Sequence, residues 1–167
     1  MKAKKVIAMA MVMTMGLSMS TLGVSASEGT GSTNVSYDNQ NQIPDPDPTD
    51  PTDPEWMVTI PSSIVFTDDN KEIDASVELV EKTGMPAKPV TVSVESDNGY
   101  NLVLTDASDP VSYALGYGGK HMSAIETMVA ELTATNTRQT GTAKLTGKAT
   151  KAGVHTDVLT YTVEYTK

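Results

Sequence analysis

His121 and His155 are the only imidazoles in a chain of 167 residues that contains no cysteine. Without a thiol, a disulfide scaffold, a thiolate metal site and a cysteine nucleophile are all out of reach. A serine triad would need one of the two rings fixed by an acid beside an activated serine. Neither a G-x-S-x-G elbow nor an H-E-x-x-H pair occurs. Both histidines stand in polar, turn-rich sequence and read as exposed loop residues. Glycosidase chemistry needs two carboxyl groups facing across a cleft. Asp68-Asp69 and Asp106 with Asp109 read more simply as turn residues whose side chains bond nearby backbone amides. Asp45, Asp47 and Asp50 alternate like the start of an EF-hand loop, but the turn-making Gly and the closing Glu are missing and the intervening prolines resist curling around an ion. No catalytic residue, cofactor or metal site is therefore expected.

Aromatic stacking is the remaining chemistry. Gly116-Tyr117-Gly118-Gly119 places a tyrosine between glycines, free to project and stack on a sugar ring or on an apolar patch of a partner. Tyr117, with Tyr113 and Tyr100, forms the candidate ligand-binding set of a carbohydrate-binding module. The structural alternative is a connection whose tyrosine folds back over the end of the domain.

Charge and the N-terminus narrow the class further. Twenty-one acidic residues against 12 basic ones give a net charge of −9 and a pI near 4.5, the wrong sign for a phosphate backbone, so nucleic acid is set aside. Lys2, Lys4 and Lys5 precede an apolar run from Val6 to Leu17. Small residues follow, ending in Val24-Ser25-Ala26, the layout of a secretory signal peptide with cleavage expected after Ala26. About twelve apolar residues reach roughly 18 Å as a helix, too short for a bilayer core of about 30 Å. Loss of residues 1–26 removes three lysines and no acid, taking the net charge from −9 to −12. No lipid-accepting cysteine, sorting motif or second membrane-length stretch follows, which points to free secretion or non-covalent retention at the surface. An exported domain without disulfides suits a bacterial, Gram-positive source. In that setting the sequon Asn34-Val35-Ser36 is accidental.

Residues 27–55 hold seven acids, no Lys or Arg and few apolar residues, and read as a disordered linker. Five prolines between Pro44 and Pro54 favour polyproline II, which would span roughly 34 Å at about 3.1 Å per residue.

From Trp56 to Lys167 the composition changes to that of one β domain. Met57, Val58 and Ile60, followed by Ile64, Val65 and Phe66, suggest a first edge strand interrupted by Pro61. Ile73, Ala75, Val77 and Leu79 alternate with polar residues. Val90, Val92 and Val94, then Asn98-Gly99, then Tyr100, Leu102 and Leu104 read as a hairpin over Pro89–Thr105. Val111, Tyr113 and Leu115 give another short strand. Ala143 to Ala149 and Leu159 to Tyr165 read as a second hairpin. Residues 121–133 fit helix or strand, with strand preferred from context. The expected fold is all-β, an antiparallel immunoglobulin-like sandwich of seven or eight strands.

The segments Val58-Thr59-Ile60-Pro61-Ser62-Ser63-Ile64 and Gly153-Val154-His155-Thr156-Asp157-Val158-Leu159-Thr160-Tyr161-Thr162-Val163 resemble the opening and closing strands of small extracellular sandwich domains. Such domains occur in Gram-positive surface proteins, including WxL-type cell-wall proteins and pilin or adhesin modules. The WxL pattern itself is absent, the one tryptophan lying in Trp56-Met57-Val58. The resemblance implies a secreted, non-enzymatic surface or extracellular-matrix module, an adhesin or fibre subunit, whose partners are other surface proteins or cell-wall polymer. Many pilin-type modules carry a Lys–Asn isopeptide bond, but the closing strand here contains no Asn, and with Asn101 and Asn136 as the remaining partners the domain is expected to rely on ordinary packing. Self-association has a route through sheet edges, with Val35 and Tyr37 alternating in a segment able to add as an extra strand.

Overall fold

The computed structural model describes residues 4–9, 41–49 and 52–165. The fold is all-β and antiparallel, and among the described residues no helix forms. The strands are β1 (Lys4–Met9), β2 (Gln42–Pro44), β3 (Trp56–Thr59), β4 (Glu72–Asp74), β5 (Val77–Glu81), β6 (Val90–Ser96), β7 (Asn101–Leu102), β8 (Val111–Tyr117), β9 (Lys120–His121), β10 (Met128–Leu132), β11 (Arg138–Gln139), β12 (Gly141–Leu145) and β13 (Leu159–Tyr165). One sheet runs β1-β13-β6-β10. A second runs β11-β5-β3-β2, and a third β4-β12-β8-β7 with β9 attached to β8. The second and third sheets adjoin, because β4 and β5 are two halves of one run broken at Ala75-Ser76, and β11 and β12 are two halves of its partner. Ala75 bridges the break by donating its amide to the Gly141 carbonyl at 2.9 Å.

Period-two patterning decides which faces meet. Val90, Val92 and Val94 of β6 are fully buried, while Thr91 and Ser93 between them are only partly covered. Tyr161 and Val163 of β13, Val58 of β3, Val77 and Leu79 of β5, and Leu115 of β8 close the same core from their own sheets. Trp56, fully buried at 1 % exposure, meets Tyr165 edge-on with ring centroids 5.4 Å apart. Residues 121–133, ambiguous by periodicity, supply strand β10.

Three sequence expectations are corrected by the pairing. The Asn98-Gly99 turn does not fold β6 back on its neighbour. Both edges of β6 are already occupied, by β13 and β10, and β7 pairs with β8. Gly99 at φ 60° and Tyr100 at φ 62° instead carry the chain away from the β6 sheet. Likewise β12 pairs with β4 and β8 while β13 pairs with β6, so residues 143–165 cross between sheets and form no hairpin. A hairpin does occur at Gly118-Gly119, both with positive φ, joining Tyr117 to its partner Lys120.

The third correction moves the start of the domain. Gln42–Pro44, assigned by composition to the linker 27–55, pairs with β3 in the register Ile43 to Val58. Ile43 is fully buried in the core and Asp45 donates its amide to the Trp56 carbonyl at 3.1 Å. Pro44 pairs with Met57 and Asp45 bonds Trp56, so the two ends of the proline-aspartate run lie side by side and do not stand 34 Å apart. Burial of one isoleucine is worth roughly 1.5–3 kcal/mol, and three backbone pairs add to it, more than the weak polyproline preference opposes. β3 is in consequence an interior strand, flanked by β2 and β5, and it ends at Thr59. The expected cleavage point after Ala26, the sequon at Asn34, residues 27–40 of the linker and the strand-donor residues Val35 and Tyr37 lie outside the described residues.

Candidate functional site

The connection between β12 and β13, residues 146–158, forms no regular strand, and two carboxylates hold it in place. Asp109, on the loop entering β8, accepts hydrogen bonds from the Thr150 hydroxyl and from the amides of Thr150 and Lys151, both at 2.9 Å through Oδ2. Its Oδ2 also meets His155 Nε2 at 2.9 Å. Asp109 sits at φ 54°, a left-handed conformation that costs a non-glycine residue energy and that its many bonds hold in place. The Thr150 hydroxyl, then the Lys151 amide, keep its carboxyl well below the ordinary carboxylate range, since each bond favours the charged form.

The second carboxylate, Asp157, lies in the connection itself and reaches the other way. Its Oδ2 accepts from the Tyr113 hydroxyl at 2.6 Å and the Ser96 hydroxyl at 2.7 Å. Its Oδ1 accepts from the amides of Asn98 at 3.1 Å and Val158 at 2.8 Å, and from the Asn98 side chain at 3.2 Å. Ser96 Oγ passes the chain on by accepting the Tyr100 amide at 2.6 Å. Asp157 therefore ties the ends of β6, β8 and β13 together. Burial, and next the adjacent carboxylate, push the Tyr113 hydroxyl far above its ordinary pKa.

A third polar group lies inside the core. Tyr117 donates its hydroxyl to the Ala75 carbonyl at 2.7 Å and lies 2.8 Å from the Tyr161 hydroxyl. Because Tyr117 has one proton and spends it on Ala75, Tyr161 is the donor between the two rings. Burial raises both hydroxyls, Tyr161 to about 12. Gly141 lies opposite Tyr117 in the β8–β12 register, and a Cβ there would overlap the Tyr117 ring and stand 2.8 Å from the Ala75 carbonyl.

These contacts correct the stacking expectation. Tyr117, Tyr113 and Tyr100 are exposed by only 2 %, 6 % and 9 %. The rings of Tyr113 and Tyr117 turn inward because strand alternation places 113, 115 and 117 on the core face, and glycine flanks do not override it. Tyr100 packs edge-on to Tyr113 at 5.9 Å and its hydroxyl reaches the Val94 carbonyl at 3.4 Å. His155 is corrected too. It is no exposed loop residue, its side chain being 8 % exposed. Nε2 faces Asp109 and Nδ1 faces the Gly153 carbonyl at 3.3 Å, so neither nitrogen is directed at a hydroxyl nucleophile. His121 is exposed, as read from sequence. Asn101 gives its amide to the carbonyls of Asn98 and Gly99 and accepts the Ser112 hydroxyl, which turns it into the β6–β7 corner.

Among the described residues the outer surface carries a broad, open concavity of about 440 Å³ lined by Gly116, Gly118, Lys120, His121, Gln139 and Thr142. Lys120 also pairs with Glu126 at 3.4 Å. Among the described residues no group of three or more His, Asp or Glu side chains is arranged to hold a metal ion. Asp157, Asp109 and His155 are the residues that sequence reasoning missed. Asp106 does bond the local Ser108 amide, as a turn residue should, but Asp109 bonds partners more than 40 positions away, and nothing in the local sequence separates the two. The architecture defines an antiparallel β domain with sandwich-like packing, closed at one end by a carboxylate clamp. Comparison with known protein families, characterised proteins and solved structures finds no match for the chain.

Proposed function

We propose that the chain is an exported, non-enzymatic module of a bacterial, Gram-positive surface or extracellular matrix, of adhesin or fibre-subunit type, acting through contacts with other surface proteins or cell-wall polymer. The observation that supports this reading is the commitment of the polar side chains. The carboxylates of Asp109 and Asp157, the ring of His155 and the hydroxyls of Tyr113 and Tyr117 all hold the fold together, bonded to other groups of the domain. What such a domain offers a partner is rigid surface and strand edges, and the export-type N-terminus supplies the setting in which a rigid exterior is useful. The test is fractionation of a Gram-positive host expressing the full chain, with intact mass measured on each fraction. The reading expects the protein in medium or wall fractions, shortened by residues 1–26. Full-length protein confined to the cytosol contradicts it.

A further inference from the structure

The sheet edges are guarded unequally. At one end of the first sheet β10 carries a register shift between Met128 and Ala130. β2 is three residues long and ends in Pro44, while β7 and β9 have two residues each. Short length, proline and bulges are the devices that keep an edge from pairing. β13 has none of them: seven residues, no proline, an unbroken register with β6 from Leu159 to Glu164, and Glu164 as its single charge. Its outer edge is covered instead by β1, antiparallel through six pairs from Lys4 opposite Tyr165 to Met9 opposite Thr160. The strand that covers it lies wholly within the residues read as a removable leader.

We propose that export uncovers this edge and that β13 of a second copy takes the place of β1, across a two-fold axis. The inference rests on the export reading above. The pairing is self-complementary. An axis at Thr162 sets Thr162 opposite itself, Tyr161 opposite Val163, Thr160 opposite Glu164 and Leu159 opposite Tyr165. The buried residues Tyr161, Val163 and Tyr165 then keep to the core side in both copies, and no like charges meet. The polarity is that of β1, which already pairs antiparallel on this edge. The product is one continuous sheet, with β10, β6 and β13 contributed by each copy, formed by an isologous contact that closes on itself.

Crosslinking of the exported protein tests this, with its N-terminus checked by intact mass. Directly opposed strand residues have Cβ atoms about 4.5–5.5 Å apart, near enough for a disulfide. Because the chain has no cysteine, Thr162→Cys introduces a single thiol. Mild oxidation is expected to convert most of it to a covalent dimer, with Lys144→Cys on β12 remaining monomeric. Wild type without its leader is expected to sediment as a dimer, and Thr162→Lys, which sets two ammonium groups face to face, as a folded monomer. The precursor retaining residues 1–26 is expected to be monomeric. Leaderless wild type that stays monomeric, or Thr162→Cys that crosslinks no better than Lys144→Cys, overturns the inference and leaves residues 27–40 of the same chain as the alternative occupant. Protein confined to the cytosol overturns the export reading, and exported protein that keeps residues 1–26 overturns the removal of β1; the two-fold pairing falls with either.

Discussion

Replacing Asp157 with alanine removes five hydrogen bonds at once, and their surroundings set what each is worth. The bonds from Asn98 are exposed and water replaces them at little cost. The Tyr113 hydroxyl is different, because the residue is 6 % exposed and Asp157 is its acceptor at 2.6 Å. Leaving that donor unpaired costs about 1–3 kcal/mol, and loss of charge-assisted bonds from Ser96 and the Val158 amide adds about another 1 kcal/mol. A destabilisation of about 3 kcal/mol is expected for Asp157→Ala. For a domain of this size that lowers Tm by roughly 10 °C. Asp157→Asn keeps one acceptor oxygen, which turned towards Tyr113 and Ser96 preserves both buried bonds and gives up those from Asn98 and the Val158 amide, so the expected loss is smaller, about 1–2 kcal/mol. Urea unfolding followed by Trp56, the only tryptophan, reports each value directly. The decisive measurement is the double mutant with Tyr113→Phe. With the stranded hydroxyl gone, its loss should fall short of the sum of the two single losses by about 1–2 kcal/mol. Strictly additive losses, or an Asp157→Ala protein within about 0.5 kcal/mol of wild type, would refute the clamp.

Other consequences follow from the same geometry. Tyr117→Phe deprives the Ala75 carbonyl of its donor and Tyr161 of its acceptor, so it is expected to cost about 2–3 kcal/mol against about 1 kcal/mol for Tyr161→Phe, compared by urea midpoints. Ile43→Ala is expected to cost about 2–4 kcal/mol although it lies among linker-like residues, and a chain begun at Trp56 should lose at least as much. Asp109 releases its proton at a lower pH in the folded state than in the unfolded chain. Its stabilisation is therefore complete above the unfolded carboxyl value of about 3.9 and is lost as pH falls below it. Asp109→Asn should flatten the dependence of the urea midpoint on pH below roughly 4.

Much of the fold was legible because strand alternation is a short-range signal. The buried triplet Val90, Val92 and Val94, and the inward set Tyr161, Val163 and Tyr165, announce their faces without tertiary information. Strand partners were not legible. Asn98-Gly99 encodes a positive-φ turn, which the structure contains, but whether that turn closes a hairpin depends on which strands already flank β6. Composition misplaced the domain boundary because one isoleucine in an acidic, proline-rich stretch weighs little in an average, yet Ile43 is fully buried. The clamp was hidden for a related reason. Asp109 and Asp157 find their partners through the fold, at separations up to 61 residues, and an acid that grips a distant loop looks in sequence like any acid in a turn. The tyrosines misled because glycine neighbours suggested projection while their own alternation pointed inward.

The proposed function is that of an exported β domain that works by contact. Binding of the exported, fluorescently labelled protein to intact Gram-positive cells tests it most directly, with the total and unbound protein measured over a concentration series. Saturable retention on the cells, competed away by unlabelled protein, is the expected result. Protein that stays in the supernatant at every concentration would contradict it.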